Sequence, residues 1–254
     1  MVPDLRPDEL TAELRRRREL DQAVRADVIR GTSAAARITD VDAANTSWLK
    51  DVVDAVGWPG RSLVGDEGAH TAWMLAQHAD QDRAFQRRCL GLLRRAVAEG
   101  EASPRDLACL TDRVLLAYGE PQVYGTQLTA QNGQLTPRRL RDRDTVDERR
   151  ATLGLETLNA YLRHALETLG PPSPASIACA GCNERVELWL PEPGETAKAR
   201  CPACGRRFTV RARLPGTSLP AGSACRDAHV PGSTRECSKP PQEGLVRLAV
   251  TKTR

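Results

Sequence analysis

Along the first 170 or so residues, apolar side chains recur at helical spacing. Leu10, Leu14, Val24 and Val28 form a discontinuous stripe, which predicts a first helix with Asp8 as its cap. The Arg15–Arg18 run inside it reads as a solvated helix face. The same spacing predicts helices over about 39–56, 66–80, 82–99, 105–118 and 146–168. Thr145 and Glu148 match a capping box at the start of the last one. One segment departs from this period. Gln122–Thr129 and Gln134–Leu140 flank Asn132-Gly133, a dipeptide suited to the positive φ angles of a tight turn. A small β-hairpin inserted among helices is the reading.

The period changes after Gly170-Pro171-Pro172-Ser173-Pro174. Prolines lack a backbone donor and fix φ, so a helix ending near Leu169 stops there, and a domain boundary is expected. Beyond it, Arg185–Leu190 and Arg206–Arg213 alternate apolar and polar residues as strands do. From Pro215 to Glu243, 12 of 29 residues are Pro, Gly or Ser, too little apolar surface to offset the entropy of ordering. Leu245–Val250 returns as one short strand. The expected architecture is mainly α. A helical domain over 1–170 carries the hairpin, a small β module spans 176–214, and a largely disordered tail covers 215–254.

Charge sharpens this division. The formal net charge of +4 resolves into 24 basic and 26 acidic side chains over 1–170, against 13 and 7 over 171–254. The basic excess belongs to the C-terminal third, where a polyanionic partner is admissible. A hydrophobic content of 40% suffices for a core and excludes wholesale disorder. No run of about 18 apolar residues occurs, so no membrane-spanning helix is expected. The N-terminus lacks the apolar segment of a signal peptide, and the expected location is cytoplasmic. In that compartment eight cysteines favour metal over disulfides.

Four of the cysteines have metal-ligand spacing. Cys179-Ala-Gly-Cys182 and Cys201-Pro-Ala-Cys204 are two CxxC pairs with 18 residues between them. Each pair forms a tight knuckle, and zinc accepts four thiolates tetrahedrally. Gly181 and Gly205 are expected to supply the unusual backbone angles of the knuckles. The segment resembles a zinc ribbon over about 176–214. With all four positions Cys, no coordination position is open to water, so the zinc would be structural. Cys225, His229 and Cys237 lie in the tail, where incidental thiols are favoured over a second site. Cys89 and Cys109 sit on apolar helical stripes as small hydrophobes.

Polar residues on apolar faces are the other anomaly. His78 and Asp82 lie four apart where one apolar stripe gives way to another, so that either two helices meet near Asp80 or one helix is buried on both sides. A His–carboxylate pair serves as a base with its orienting partner, as two metal ligands, or as a satisfied buried contact. Asp112 falls among Ala108, Cys109, Leu115 and Leu116 and needs a partner, for which Arg113, Arg149 and Arg150 are available. An internal salt bridge and an anion-binding pocket are the two readings.

Gly57-Trp58-Pro59, Gly65, Trp73 with Gln77-His78-Ala79-Asp80, Asp112-Arg113, Tyr124-Gly125-Thr126-Gln127 and Arg149-Arg150 with Leu153-Gly154-Leu155 occur in this order. Together they resemble an uncharacterised bacterial family catalogued as domain of unknown function 6624, over about residues 20–168. The resemblance implies a domain and a set of polar residues, Gln77, His78, Asp112, Arg113, Tyr124, Gln127 and Arg150, without implying a reaction. It leaves the cysteine module outside as an appendage.

Two functional readings follow. In the first, a hydrolase- or transferase-like pocket gathers His78, Asp82, Asp112, Arg113, Gln127 and Arg150 around an unknown small molecule. His78 is its acid/base, Arg113 or Arg150 holds an anionic group, and Gln127 orients the substrate. No nucleophile stands out, and neither a GxxxxGK[ST] loop nor an HExxH helix is present. In the second, the protein is non-catalytic, and its ribbon binds nucleic acid or a protein partner through Arg185, Arg200, Arg206, Arg207, Arg211 and Arg213. Trp189 and Phe208 are the ribbon's only aromatic residues, few for stacking on single strands. Sequence does not set the oligomeric state.

Overall fold

The computed structural model describes residues 6–29, 36–131, 133–172, 174–189, 196–211 and 249–252. Five long helices come first: α1 (Pro7–Ile29), α2 (Ala36–Val56), α3 (Arg61–Gln77), α4 (Arg83–Ala98) and α5 (Pro104–Ala117). The predicted stripe on α1 is buried at Leu10, Leu14 and Val24, and α1 packs on α3 and α2. Pro7 opens α1, so Asp8 lies in its first turn and is not its cap. Leu49, Val52, Leu75, Phe85, Cys89, Leu93 and Leu110 complete one core shared by the five helices.

Two helices do meet near Asp80. α3 ends at Gln77 with His78 as its C-cap, and α4 begins after Asp82, whose carboxylate accepts the Phe85 N–H at 2.9 Å. Asp82 also pairs with Lys50, so it is a cap and a surface ion pair. It makes no bond to His78.

The inserted hairpin is present, shorter than predicted. β1 (Leu128–Gln131) pairs antiparallel with β2 (Gln134–Pro137), and Gly133 turns with φ +81°. Asn132 lies outside the described residues.

The single helix predicted over 146–168 is two. α6 (Val146–Ala151) and α7 (Leu158–Leu169) are separated by a turn at Gly154. Its φ of +64° is a conformation other residues resist, and Thr157 caps the second helix through the Ala160 N–H. The capping box does not form either. Thr145 precedes α6, yet its hydroxyl turns to Asp142, to which it donates, and to Arg149, from which it accepts, and it makes no bond to a helix N–H.

The C-terminal strands build two hairpins. β3 (Ala175–Ala178) pairs with β4 (Arg185–Leu188), and β5 (Thr196–Arg200) pairs with β6 (Arg207–Arg211). β7 (Ala249–Lys252) adds to β6, a few residues later than the predicted return strand. The other tail residues, including Cys225, His229 and Cys237, lie outside the described ones. Period-two alternation is realised here. Val186, Phe208 and Val210 are buried with Ile177, while Arg185, Glu187 and Arg207 face outward. No described helix is long and apolar enough to cross a membrane.

Candidate functional site

The four cysteines converge. Each CxxC occupies the turn of one hairpin, because β3–β4 closes at Ala178 and Arg185 and β5–β6 closes at Arg200 and Arg207. The two turns have the same construction. Cys179 N–H donates to Glu184 O and accepts back from Asn183 N–H at its carbonyl, both at 2.8 Å. Cys201 does the same with Arg206 O at 2.8 Å and Gly205 N–H at 2.9 Å. Four residues after the first cysteine of each knuckle the chain takes a positive φ, +61° at Asn183 and +71° at Gly205. The left-handed residue of the first knuckle is therefore Asn183, and not Gly181 as expected. Asn tolerates that region through its short polar side chain.

Sγ of Cys179 lies 3.7 Å from that of Cys204, and Sγ of Cys182 lies 3.6 Å from that of Cys201. All four sulfurs fall within 4.8 Å of one another and form a group able to hold a metal ion. None is disulfide-bonded, and the backbone N–H groups of Gly181 and Cys182 favour the Cys179 thiolate, whose pKa is lowered to about 6.

A second polar cluster sits where α1, α2 and the end of α3 meet. His78 Nδ1 is 3.0 Å from Oδ1 of Asp21, which is 1% exposed. Arg25, one turn on from Asp21, donates to it at 3.1–3.2 Å and reaches Asp42 at 2.5 Å. Gln22 adds a donor to Asp21 at 2.9 Å. Burial raises the Asp21 pKa, but the hydrogen bonds from His78 and Arg25 outweigh it and hold the carboxyl below its ordinary value. With Asp21 accepting, Nδ1 of His78 carries the proton and Nε2 is the acceptor of the neutral ring. Nε2 has no hydrogen-bond partner among the described residues. Asp21, Asp42 and His78 are close enough to share a cation. Arg25, however, already bridges both carboxylates and supplies the charge a metal would bring, so the cluster is an ion-pair network.

Burial pushes Asp42 up to about 6, against the attraction of Arg25 and His78. A folded-state pKa above the unfolded one means that the native chain binds the extra proton. The contribution of Asp42 to stability therefore falls as pH rises from about 4 to about 6, by an amount on the order of 3 kcal/mol. The Tm advantage of the natural chain over Asp42→Asn is expected to shrink across this window and stay level above it. A pH-independent difference between the two melting curves would refute the assignment.

Asp112, fully buried, performs a different task from either expected one. Oδ1 accepts the N–H groups of Val123 and Tyr124 at 2.7 and 2.9 Å, and Oδ2 accepts the N–H and hydroxyl of Thr126, both at 2.9 Å. Desolvation raises its pKa while these bonds pull the other way. Its partner is thus the loop over 122–127 and not an arginine. Gln122, also fully buried, holds the same loop from within by accepting the Gln127 N–H and donating to the Gln127 and Arg138 carbonyls. Arg113 forms a two-point ion pair with Asp80 at 2.9 and 2.5 Å and touches Gln127 Oε1 at 3.3 Å. Arg149 donates to the carbonyls of Val123, Arg141 and Asp142. Arg150 donates to Tyr124 O at 2.7 Å and Glu156 O at 2.6 Å.

The six polar residues singled out in the sequence therefore do not gather at one point. Asp112, Arg113 and Gln127 are linked through the loop, and Arg150 bonds it at the Tyr124 carbonyl. His78 faces Asp21, and Asp82 faces Lys50. A cavity of about 510 Å³ opens between α5, the loop, the Gly154 turn and α7, and of the six Arg150 alone lines it. Cys109 lines it too, with a thiol pKa raised by burial to about 12, which makes it a poor nucleophile.

A family model matches residues 7–170, which include every one of these polar residues. The chain belongs to DUF6624, a family of unknown function. The DUF6624 region runs from α1 to the end of α7, and the cysteine hairpins follow it. No curated protein and no solved structure matches the chain.

Asp21, Arg25, Asp42 and Tyr161 are not prominent in the sequence. A signal for the first exists. Asp21 falls on the Leu10–Leu14–Val24 stripe of α1, where a carboxylate must find a partner, and Arg25 follows at i+4. Nothing local marks Asp42 or Tyr161.

Proposed function

We propose a two-module protein, with a structural zinc ribbon over about 176–214 appended to the DUF6624 domain over 1–170. The observation that carries the ribbon is the sulfur geometry. A zinc–sulfur bond of about 2.3 Å gives a tetrahedron with edges of about 3.8 Å, and the two cross-knuckle pairs stand at 3.7 and 3.6 Å. Four thiolates leave no open position, so the ion fastens two hairpins and takes no part in a reaction. Arg185, Arg200 and Arg206, three of the arginines available to a polyanion, hydrogen-bond within the ribbon to Ser176, Gly205 O and Ala180 O. This favours a structural role over nucleic-acid binding.

In the same reading the DUF6624 domain is the hydrolase- or transferase-like part, with His78 as its acid/base. Asp21 orients the ring through Nδ1, leaving Nε2 to exchange a proton with a bound molecule. Metal analysis of the purified full chain tests the ribbon. About one zinc per chain is expected; a chain folded throughout with no bound metal would refute it.

A further inference from the structure

The geometry points to a binding site for a small organic anion in the cavity between α5, the Gly154 turn and α7, with Arg150 as its charged anchor. The inference is independent of the zinc and of His78. Arg150 is 2% exposed and lines a cavity of about 510 Å³, within the range of small-molecule pockets. A buried guanidinium ordinarily has a carboxylate beside it. This one forms no ion pair among the described residues; its two hydrogen bonds go to neutral carbonyls, those of Tyr124 and Glu156. A guanidinium has five N–H donors, which leaves three for a ligand. Burial lowers its pKa more than the more distant acidic groups raise it, so the positive charge is under-compensated.

The surroundings suit an anion with an apolar body. Tyr161 stacks on the guanidinium, its ring centre 5.0 Å from the Arg150 carbon, and is fixed there by its hydroxyl bond to Thr126 O at 3.0 Å. Leu153 and Leu155 line another part of the cavity. At the rim, Arg105 stands beside the single acid Glu156, and the His164 ring adds a polar edge. Arg105 belongs to the first turn of α5, a 14-residue helix whose N-terminal residues Ser103 and Pro104 also line the cavity. The helix N-terminus adds a favourable field for negative charge. A carboxylate or a phosphate monoester on a ring or short aliphatic body meets all these features.

Titration calorimetry of the full chain with benzoate, phenyl phosphate and inorganic phosphate, with benzyl alcohol as the neutral control, tests the site. One-to-one binding of benzoate or phenyl phosphate is expected, and which of them is tighter identifies the anion. Inorganic phosphate should bind more weakly because it lacks the apolar body, and benzyl alcohol should not compete. Arg150→Gln should abolish binding, but it also removes a support of the loop. Arg105→Glu, an exposed rim change, should weaken binding roughly tenfold with Tm unchanged. No binding by any of the three anions up to about 10 mM would overturn the proposal. So would equal binding of benzyl alcohol, or anion affinity indifferent to Arg105→Glu.

Discussion

The Cys201→Ser variant is expected to purify without zinc and to lose both C-terminal hairpins while the helices keep their full signal. The reason is the scarcity of other cross-links. β3–β4 and β5–β6–β7 are separate sheets with no strand pairing between them, and an isolated two-stranded hairpin is marginal in water. Their common core is small: Ile177, Val186, Phe208, Val210 and two of the cysteines themselves. A structural zinc contributes on the order of 10 kcal/mol or more to modules of this kind, far more than such a core supplies. Removing one of four thiolates leaves the other three mutually repelling and the hairpins unjoined. Amide spectra of the full chain, recorded before and after the substitution, would show the loss confined to residues 175–211. Unchanged ribbon signals together with full zinc content would defeat the assignment. Strong chelation of the natural chain should reproduce the variant, and zinc should restore it.

The second large effect is expected at Asp112. Asn in its place keeps the size, but its one amide nitrogen must replace either the oxygen that accepts Val123 and Tyr124 or the one that accepts Thr126, so buried donors on one side face a donor. The loss should be about 3 kcal/mol, seen as a fall of roughly 6–12 °C in Tm for a domain of this size. Asp82→Asn is the informative comparison, because its carboxylate caps one exposed helix end and pairs with one lysine. It should lose about 1 kcal/mol or less. If the two variants melt together, Asp112 is not the anchor of the loop. A fall in Tm limited to Asp112→Asn would also show that this buried carboxyl is structural, whatever chemistry occurs nearby.

These effects mark what a linear reading of the chain reaches. Helical spacing and the two CxxC knuckles were legible because both are local. A stripe at 10, 14 and 24, or a pair of cysteines three apart, states its geometry within a few residues. The break between α6 and α7 rests on one glycine, Gly154, inside an otherwise regular pattern, which is too little local signal to outweigh the period. The capping box at Thr145 failed for a different reason. Its hydroxyl is claimed by Asp142 and by Arg149, and competition of this kind shows only in three dimensions. Asp112 could be recognised as a buried acid in need of partners. That the partners would be amides of the loop over 122–127, and not a nearby arginine, depended on a chain reversal that no motif encodes. His78 stands out in the sequence by its position at a change of face, but its partner Asp21 stands 57 residues away on another helix.

α6 has six residues, fewer than a helix needs to persist by itself in water. Arg149 and Arg150 in its last turn grip Val123 and Tyr124 of the loop, while the loop's own amides are fixed by Asp112. Helix and loop thus lack separate reasons to exist and form one cooperative unit that opens or closes as a whole. Damage to either should therefore not add: once one side has been loosened, a second lesion on the other side has little left to break.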